Sequence, residues 1–435
     1  MANLVCSDSS GNIYDHPTLE MAACSGDRLV TVPRNELIPL PEESSFFSLP
    51  DSQALGWDKR ARTFVPVQRM KFGRQSIPVT AVSAFLPAGY TRTHIPAAHY
   101  AAERKPLPLW CYTAIGWQDE GFVAAAVRVD VRDIHNPSIY DDSVLPKKIT
   151  GRMKQKGAAQ NRLLNQLVRC ATEYHCFAAK NLFFSRFECP LPTSPTCNAR
   201  CIGCLSFQSQ SGCCASQERV NFVPTPEEIA GVAVPHLMRV KEGVASFGQG
   251  CEGEPLLQAD TLEAAIRRIR AETELGTINL NTNGYSPEKV ARLAEAGLDS
   301  IRVSVNSGLR ETYDAYYRPM NYKFDDVVQT IKTAKDKGLY TTINLLVFPG
   351  VTDREEEVEG LFELVRQTGL DLIQMRNLNI DTELYLKNIP EAKGKAIGIR
   401  KMLRGIVKEF PKVEIGYFNR PKEWFGVRRC GELKL

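Results

Sequence analysis

Cys197, Cys201 and Cys204 stand in CNARCIGC, and their type and spacing imply chemistry more directly than any other residues of this 435-residue chain. Three thiolates on one tight C-x3-C-x2-C loop can hold three irons of a cubane and leave the fourth iron open, which a four-cysteine electron-transfer cluster does not do. The alternative is a closed zinc site, which needs four ligands and would take Cys213 or Cys214 as the fourth. Adjacent Cys213 and Cys214 are poor geometry for one metal and read as free thiols. The chain has 13 cysteines, and Cys6, Cys24, Cys111, Cys170, Cys176 and Cys189 follow no repeating spacing. An odd, scattered count argues against a secreted disulfide scaffold. Cys170 and Cys176 lie in apolar helical text, where a thiol packs as a small hydrophobe.

The elements that must position the cysteines follow from texture. Residues 1–158 are rich in proline, glycine and short β-prone runs such as IPVTAVSAFLP and GFVAAAVRVDV, and define a β-rich N-terminal domain of α+β type. Residues 159–196 form a connector that begins with helical spacing, includes a strand NLFFSRFEC and ends in the proline-rich ECPLPTSPT. Residues 197–410 alternate strands and helices: a capping box at Thr225 to Glu228 opens a helix to about Lys241, and GVASFGQG reads as a strand. TINLNTNG, SIRVSVNS, TTINLLVFPG and DLIQMRNLNI follow as strands, separated by helices at about 260–275, 287–296, 324–337 and 353–368. Counting NLFFSRFEC, six β/α units result. Short strands joined by helices favour a parallel sheet with right-handed crossovers and chemistry at the carboxyl ends of the strands. Residues 411–435 form a C-terminal extension whose one cysteine is Cys430, so a multi-cysteine auxiliary cluster is not expected there.

With this order of motifs the chain resembles the radical S-adenosylmethionine (SAM) superfamily, over about residues 183–410. That resemblance implies a partial (β/α)6 TIM-like barrel. It also implies a [4Fe–4S] cluster on Cys197, Cys201 and Cys204, with SAM on the open iron and a 5′-deoxyadenosyl radical that abstracts a substrate hydrogen. In CEGEPLL, Gly253, Glu254 and Pro255 occupy the slot of the family motif that binds the methionine amino group. Asn281 and Asn283 in NLNTNG would face the cofactor. Ser304 and Asn306 in IRVSVNS would reach its ribose or carboxylate, and Arg302, of the same parity, adds a cation to that face. The chain departs from the family at Gly203, where a large apolar residue usually shelves the adenine; Ile202, Leu205 or Phe207 is the expected substitute.

Cys251 is a candidate catalytic thiol, with buried packing as its other reading. Arg318, with Gln374 and Arg376 in IQMRN, is expected near the barrel mouth in contact with substrate. The substrate class stays open among peptide, nucleotide and small metabolite. The partner implied is an external one-electron donor such as flavodoxin or ferredoxin. Two other functions remain at this stage: an iron–sulfur electron carrier or sensor without SAM chemistry, and a zinc-stabilised module that docks a partner. The N-terminal domain is expected to cover the barrel mouth, against an independent tethered domain. A net charge of +4 and 24% charged residues fit a globular protein without a polybasic tract. No apolar run reaches the roughly 18 residues of a membrane span and the first residues lack a signal pattern, so a cytoplasmic location is expected.

Overall fold

The computed structural model describes residues 1–427 apart from 102–103, 133, 135 and 209–212, so Cys430 lies outside the described residues. The second half is built on seven parallel strands in sequential order. They are β1 (Glu188–Pro190), β2 (Val244–Phe247), β3 (Thr277–Thr282), β4 (Ser300–Val305), β5 (Tyr340–Val347), β6 (Leu372–Asn377) and β7 (Glu414–Gly416). Each strand is buried on both faces, as helix-covered parallel sheets require, and period 2 divides the faces by chemistry. Ile278 and Leu280, Ile301, Val303 and Val305, and Ile343 and Leu345 pack outward into the apolar core. Asn279, Asn281, Arg302, Ser304, Asn344, Gln374 and Arg376 have the opposite parity and fill the interior with polar groups.

Local signals set the element ends. Thr225 Oγ1 accepts from Glu228 N at 3.2 Å while Glu228 accepts from Thr225 N at 2.8 Å, closing the capping box of the helix Pro226–Arg239. Gly297 ends the helix Pro287–Ala296 with φ of 112°, a conformation that costs glycine little. Asp353 does not open the next helix, which spans Glu355–Thr368; its carboxylate accepts instead from Gly350 N and Gly398 N.

Three sequence expectations are corrected. NLFFSRFEC is not one strand: Phe177–Phe183 is helical, burying Ala179, Leu182 and Phe183, and β1 keeps three residues. A short apolar run carries no period long enough to separate the two states. The extension beyond residue 410 contributes β7, and an unforeseen helix, Arg310–Tyr317, follows β4.

The N-terminal half is a 12-stranded antiparallel sheet with two additional antiparallel strand pairs. Strands such as Ser52–Asp58 alternate buried and less buried residues, as a one-sided sheet demands. It is no tethered appendage, because Ile95, Leu109, Val127 and Val129 belong to the same apolar core as the barrel. Buried polar bonds reinforce the joint. Arg92, which has no exposed surface, donates to Tyr112 O at 3.0 Å and to Leu378 O at 2.6 Å, while Thr91 Oγ1 donates to Met375 O at 2.8 Å. Arg104 pairs with Asp381 at 2.7 Å with both side chains almost fully buried. The half therefore sits on the carboxyl ends of β5 and β6.

Asp130 ties this half to the chain after β7. It pairs with Arg420 at 2.8 Å and Arg132 at 3.2 Å and accepts from Tyr417 N at 3.1 Å. Burial alone would raise its carboxyl, but the two guanidiniums hold it well below the usual range. Asp130→Ala would remove the carboxylate that Arg132 and Arg420 share and leave Arg420 with Glu414 at 3.3 Å, so a loss of about 3 kcal/mol is expected from denaturant unfolding at pH 7. The folded pKa is depressed, so the advantage of wild type over the variant is complete above about pH 4, where an unfolded aspartate is ionised, and shrinks as the pH falls further.

Candidate functional site

The cysteine loop leaves β1 through Leu191–Thr196 and is clamped on several sides. Glu252 is fully inside the protein and accepts four backbone N–H groups, from Thr193 and Ser194 at 2.7 and 2.9 Å and from Gly248 and Gln249 at 2.8 and 2.7 Å. One carboxylate thereby joins the chain after β1 to the chain after β2, although burial pushes it up to about 7. Beside it Gly253 N donates to Ser194 O and Glu254 N to Thr196 O at 2.7 and 2.8 Å. Residue 253 must be glycine, because a Cβ there would lie 1.9 Å from Thr196 O. On the other side Arg200 N and Ile202 N donate to Tyr317 O and Tyr316 O, and Asn283 Nδ2 donates to Asn198 Oδ1 at 2.7 Å. The helix Arg310–Tyr317 and the end of β3 thus hold the loop in place.

Gly203 has a physical reason in this setting. A Cβ on it would approach the Tyr316 hydroxyl to 3.0 Å, so Tyr316 occupies the space a larger residue would take. Of the expected substitutes, Ile202 is buried, whereas Leu205 and Phe207 are exposed.

Cys197, Cys201 and Cys204 all open onto one cavity of about 450 Å³ at the carboxyl ends of the strands. Burial pushes the Cys197 thiol up to about 11 and the Cys201 thiol further, so the bare thiols are neutral, and an iron bound there would take them as thiolates. Arg219 donates to Cys204 Sγ at 3.5 Å. Among the described residues no three His, Cys, Asp or Glu side chains converge as a single metal ion would need. Cys213, weighed as a fourth zinc ligand, hydrogen-bonds Leu107 O in the N-terminal half.

The cavity also collects Gly253, Glu254, Pro255, Asn281, Asn283, Arg302 and Ser304. Three other expected residues lie elsewhere. Asn306 is turned toward Thr312 O and the Tyr385 hydroxyl, because β4 ends one residue before it and the chain bends outward. Cys251 is buried against Cys170, which fits its packing reading. Arg318 is exposed and donates to Asn388 Oδ1; it borders a smaller cavity of about 280 Å³ beside the cysteine loop. The Glu254 carboxylate faces inward but is engaged by Thr282 Oγ1 at 2.5 Å, Asn283 N at 2.8 Å and Leu256 N at 3.0 Å. It braces the ends of β2 and β3, and burial pushes it up to about 7.

Under the cavity a hydrogen-bonded chain crosses the barrel. Arg302 donates to Gln374, Gln374 to Asn419, and Asn419 to Glu188 and Ser246. Asn279 donates to Ser246 and Asn281, and Asn281 donates to Phe247 O. Asn419, Glu188, Glu252 and Asn344 were not singled out from sequence. The parity that selects Arg302 and Gln374 also selects Asn344, whereas no local pattern marks Asn419. The roof of the cavity is Phe85, Leu86 and Cys111 of the N-terminal half.

The donor set fits an open-iron cubane with a bound nucleoside: three thiols on one loop, a glycine that brings backbone close, and polar strand ends facing them. Comparison with known proteins places the chain as follows. Residues 191–365 match the model of the Radical SAM superfamily. The chain is 30% identical over 192 residues to GTP 3′,8-cyclase of Aquifex aeolicus, covering 43% of this chain and 55% of that protein. It is 30% identical to a probable GTP 3′,8-cyclase of Pyrobaculum aerophilum, covering 48% and 66%. It therefore spans about half to two thirds of the length of these curated relatives. Among solved structures, the FeFe-hydrogenase maturase HydG from Carboxydothermus hydrogenoformans aligns with a TM-score of 0.37 and 14% identity, over 63% of this chain and 69% of that one. On the three cysteines, the strand-end motifs behind them and the match over residues 191–365, this part of the chain is a radical SAM superfamily domain.

Proposed function

We propose that this protein is an enzyme that holds a [4Fe–4S] cluster on Cys197, Cys201 and Cys204, binds SAM against Gly253–Pro255, Asn281, Asn283 and Ser304, and abstracts a hydrogen atom from a substrate under the N-terminal roof. One observation carries the reading: the three cysteines and the polar ends of β2, β3 and β4 face a single cavity. An electron carrier has no use for such a chamber. When bound, the cluster supplies an electron to the sulfonium, so that the S–C5′ bond breaks to methionine and a 5′-deoxyadenosyl radical. The chain's own residues then orient and protect. Glu252 and Glu254 fix the loops that meet the cofactor, while Phe85 and Leu86 exclude water from above.

The electron donor would approach from outside the cysteine loop. Arg200, Arg219 and Arg318 border the smaller cavity there, together with the half-exposed Phe207. This rim suits an acidic donor of the flavodoxin or ferredoxin kind. The likeness to GTP 3′,8-cyclases raises a purine nucleotide as one substrate class.

Cys197, Cys201 and Cys204 replaced together by alanine should leave a folded protein whose iron content, measured after anaerobic reconstitution, falls from about four per chain to near zero. Retention of the brown absorbance in that variant overturns the assignment.

Gly253→Ala tests the contact between the β2 loop and the cysteine loop. Its Cβ has no room beside Thr196 O, so the loops must separate. The expected result is a stability loss of about 1–3 kcal/mol and SAM binding at least tenfold weaker by calorimetry. Unchanged SAM affinity would place the cofactor elsewhere.

A further inference from the structure

Arg302, Asn344 and Arg376 lie on the neighbouring strands β4, β5 and β6 and all face the cavity. Their register is diagonal. Arg302 is opposite Thr342, two residues before Asn344, and Arg376 is opposite Leu346, two residues after Asn344. Each step crosses one strand and climbs one inward position, a separation of roughly 7–8 Å that a single polar ligand can span.

The hydrogen-bonding capacity of this row is incompletely used. Arg302 reaches the neutral amide of Gln374 at 3.2 Å, and its Nε is buried without a partner. Arg376 stacks on the Tyr417 ring at 4.1 Å, and its Nε is likewise buried without a partner. Asn344 Oδ1 is a buried acceptor with no donor. Among the described residues neither guanidinium meets a carboxylate at ion-pair distance. Burial pushes Arg302 down to about 9, the neighbouring Arg376 adds to the fall, and Glu188 on β1 opposes it less strongly. Two partly buried cations with buried, unpartnered Nε groups and an idle acceptor between them are costly unless something completes them.

We propose that Arg302, Asn344 and Arg376 form a binding site for an oxyanion, phosphate or carboxylate, with Asn344 Oδ1 accepting from a hydroxyl or N–H of the same molecule. Attribution of that anion to the substrate rests on the proposed function. Arg302 and Asn344 lie within residues 191–365, whereas Arg376, Tyr417 and the roof lie outside them, so the site joins the matched region to other parts of this chain. A planar guanidinium held flat on an aromatic ring suits fork-like recognition of an oxyanion.

The test is calorimetric titration of cluster-reconstituted full-length protein, saturated with SAM, using pyrophosphate and succinate as probes. Wild type should bind one of them; preference for pyrophosphate marks a phosphorylated ligand, and preference for succinate a carboxylate. Arg376→Gln should weaken that probe about tenfold or more, and Arg376→Lys should restore part of the loss, with iron content and SAM affinity unchanged. Asn344→Asp places a carboxylate between the two arginines, so it should abolish probe binding while raising the unfolding temperature, which separates loss of the site from loss of the fold. Equal probe affinity in wild type, Arg376→Gln and Asn344→Asp overturns the proposal. Probe binding that vanishes on SAM saturation also overturns it, because the arginines then serve the cofactor's own carboxylate. If the protein takes up no iron and binds no SAM while arginine-dependent probe binding persists, the proposed function fails and the anion site stands.

Discussion

An incomplete barrel leaves two strand edges without partners, and the rest of this structure depends on how that gap is sealed. β1 and β7 have three residues each, too short to pair across it, so the closure falls to side chains. Asn419, just past β7, reaches back to Glu188 on β1 and sideways to Gln374 on β6. The segment carrying Asn419 is held by Asp130 of the N-terminal half, through Arg420 and two backbone amides. Unpaired strand edges invite foreign pairing, and covering them with loops and charges is the usual remedy. Here the cover also fixes the floor of the cavity, so folding of the N-terminal half and assembly of the site become one event.

The same constraint accounts for the polarity of the interior. Strands of a helix-covered parallel sheet are usually apolar on both faces, yet eight inward positions from β3 to β6 carry Asn, Arg, Ser or Gln. At the floor these groups satisfy one another, from Arg302 through Gln374 and Asn419 to Ser246, Asn279 and Asn281. Higher up the partners run out, at Arg302 Nε, Arg376 Nε and Asn344 Oδ1. The unsatisfied groups lie where a ligand would sit. A core tuned for stability alone would have replaced them with Val or Leu; their presence trades stability for recognition.

Legibility from sequence follows the range of each interaction. The strands β2 to β6, the capping box at Thr225 and the C-x3-C-x2-C loop rest on spacings of a few residues and are readable. Parity along a strand places Arg302 and Ser304 on one face without any structure. What could not be read depends on contacts distant in the chain. Glu188, Asn419 and Asp130 are ordinary residues until the fold brings 130, 188 and 419 together. NLFFSRFEC misleads because its apolar residues fit both periods, and packing against the helix Arg162–Thr172 decides for a helix. Asn306 and Cys251 lie within two residues of cavity residues but turn away, since β4 ends at Val305 and the loop after β2 packs Cys251 against Cys170.

The roof differs in kind from the barrel beneath it. Phe85, Leu86 and Cys111 offer no strong hydrogen-bonding groups to the chamber, which suits a surface above a reactive radical: it excludes water and contributes shape. Nor is it a hinged lid. Arg92 bonds the roof strand to Leu378 and Tyr112, Arg104 is buried against Asp381, and both halves share one apolar core, so lifting the roof would expose desolvated charges. On the proposed function, selectivity would reside in the roof's fixed side chains and in Arg376, and it would change by substitution at positions 85, 86, 111 and 376 while the proposed cofactor side, Cys197 to Ser304, stays as it is.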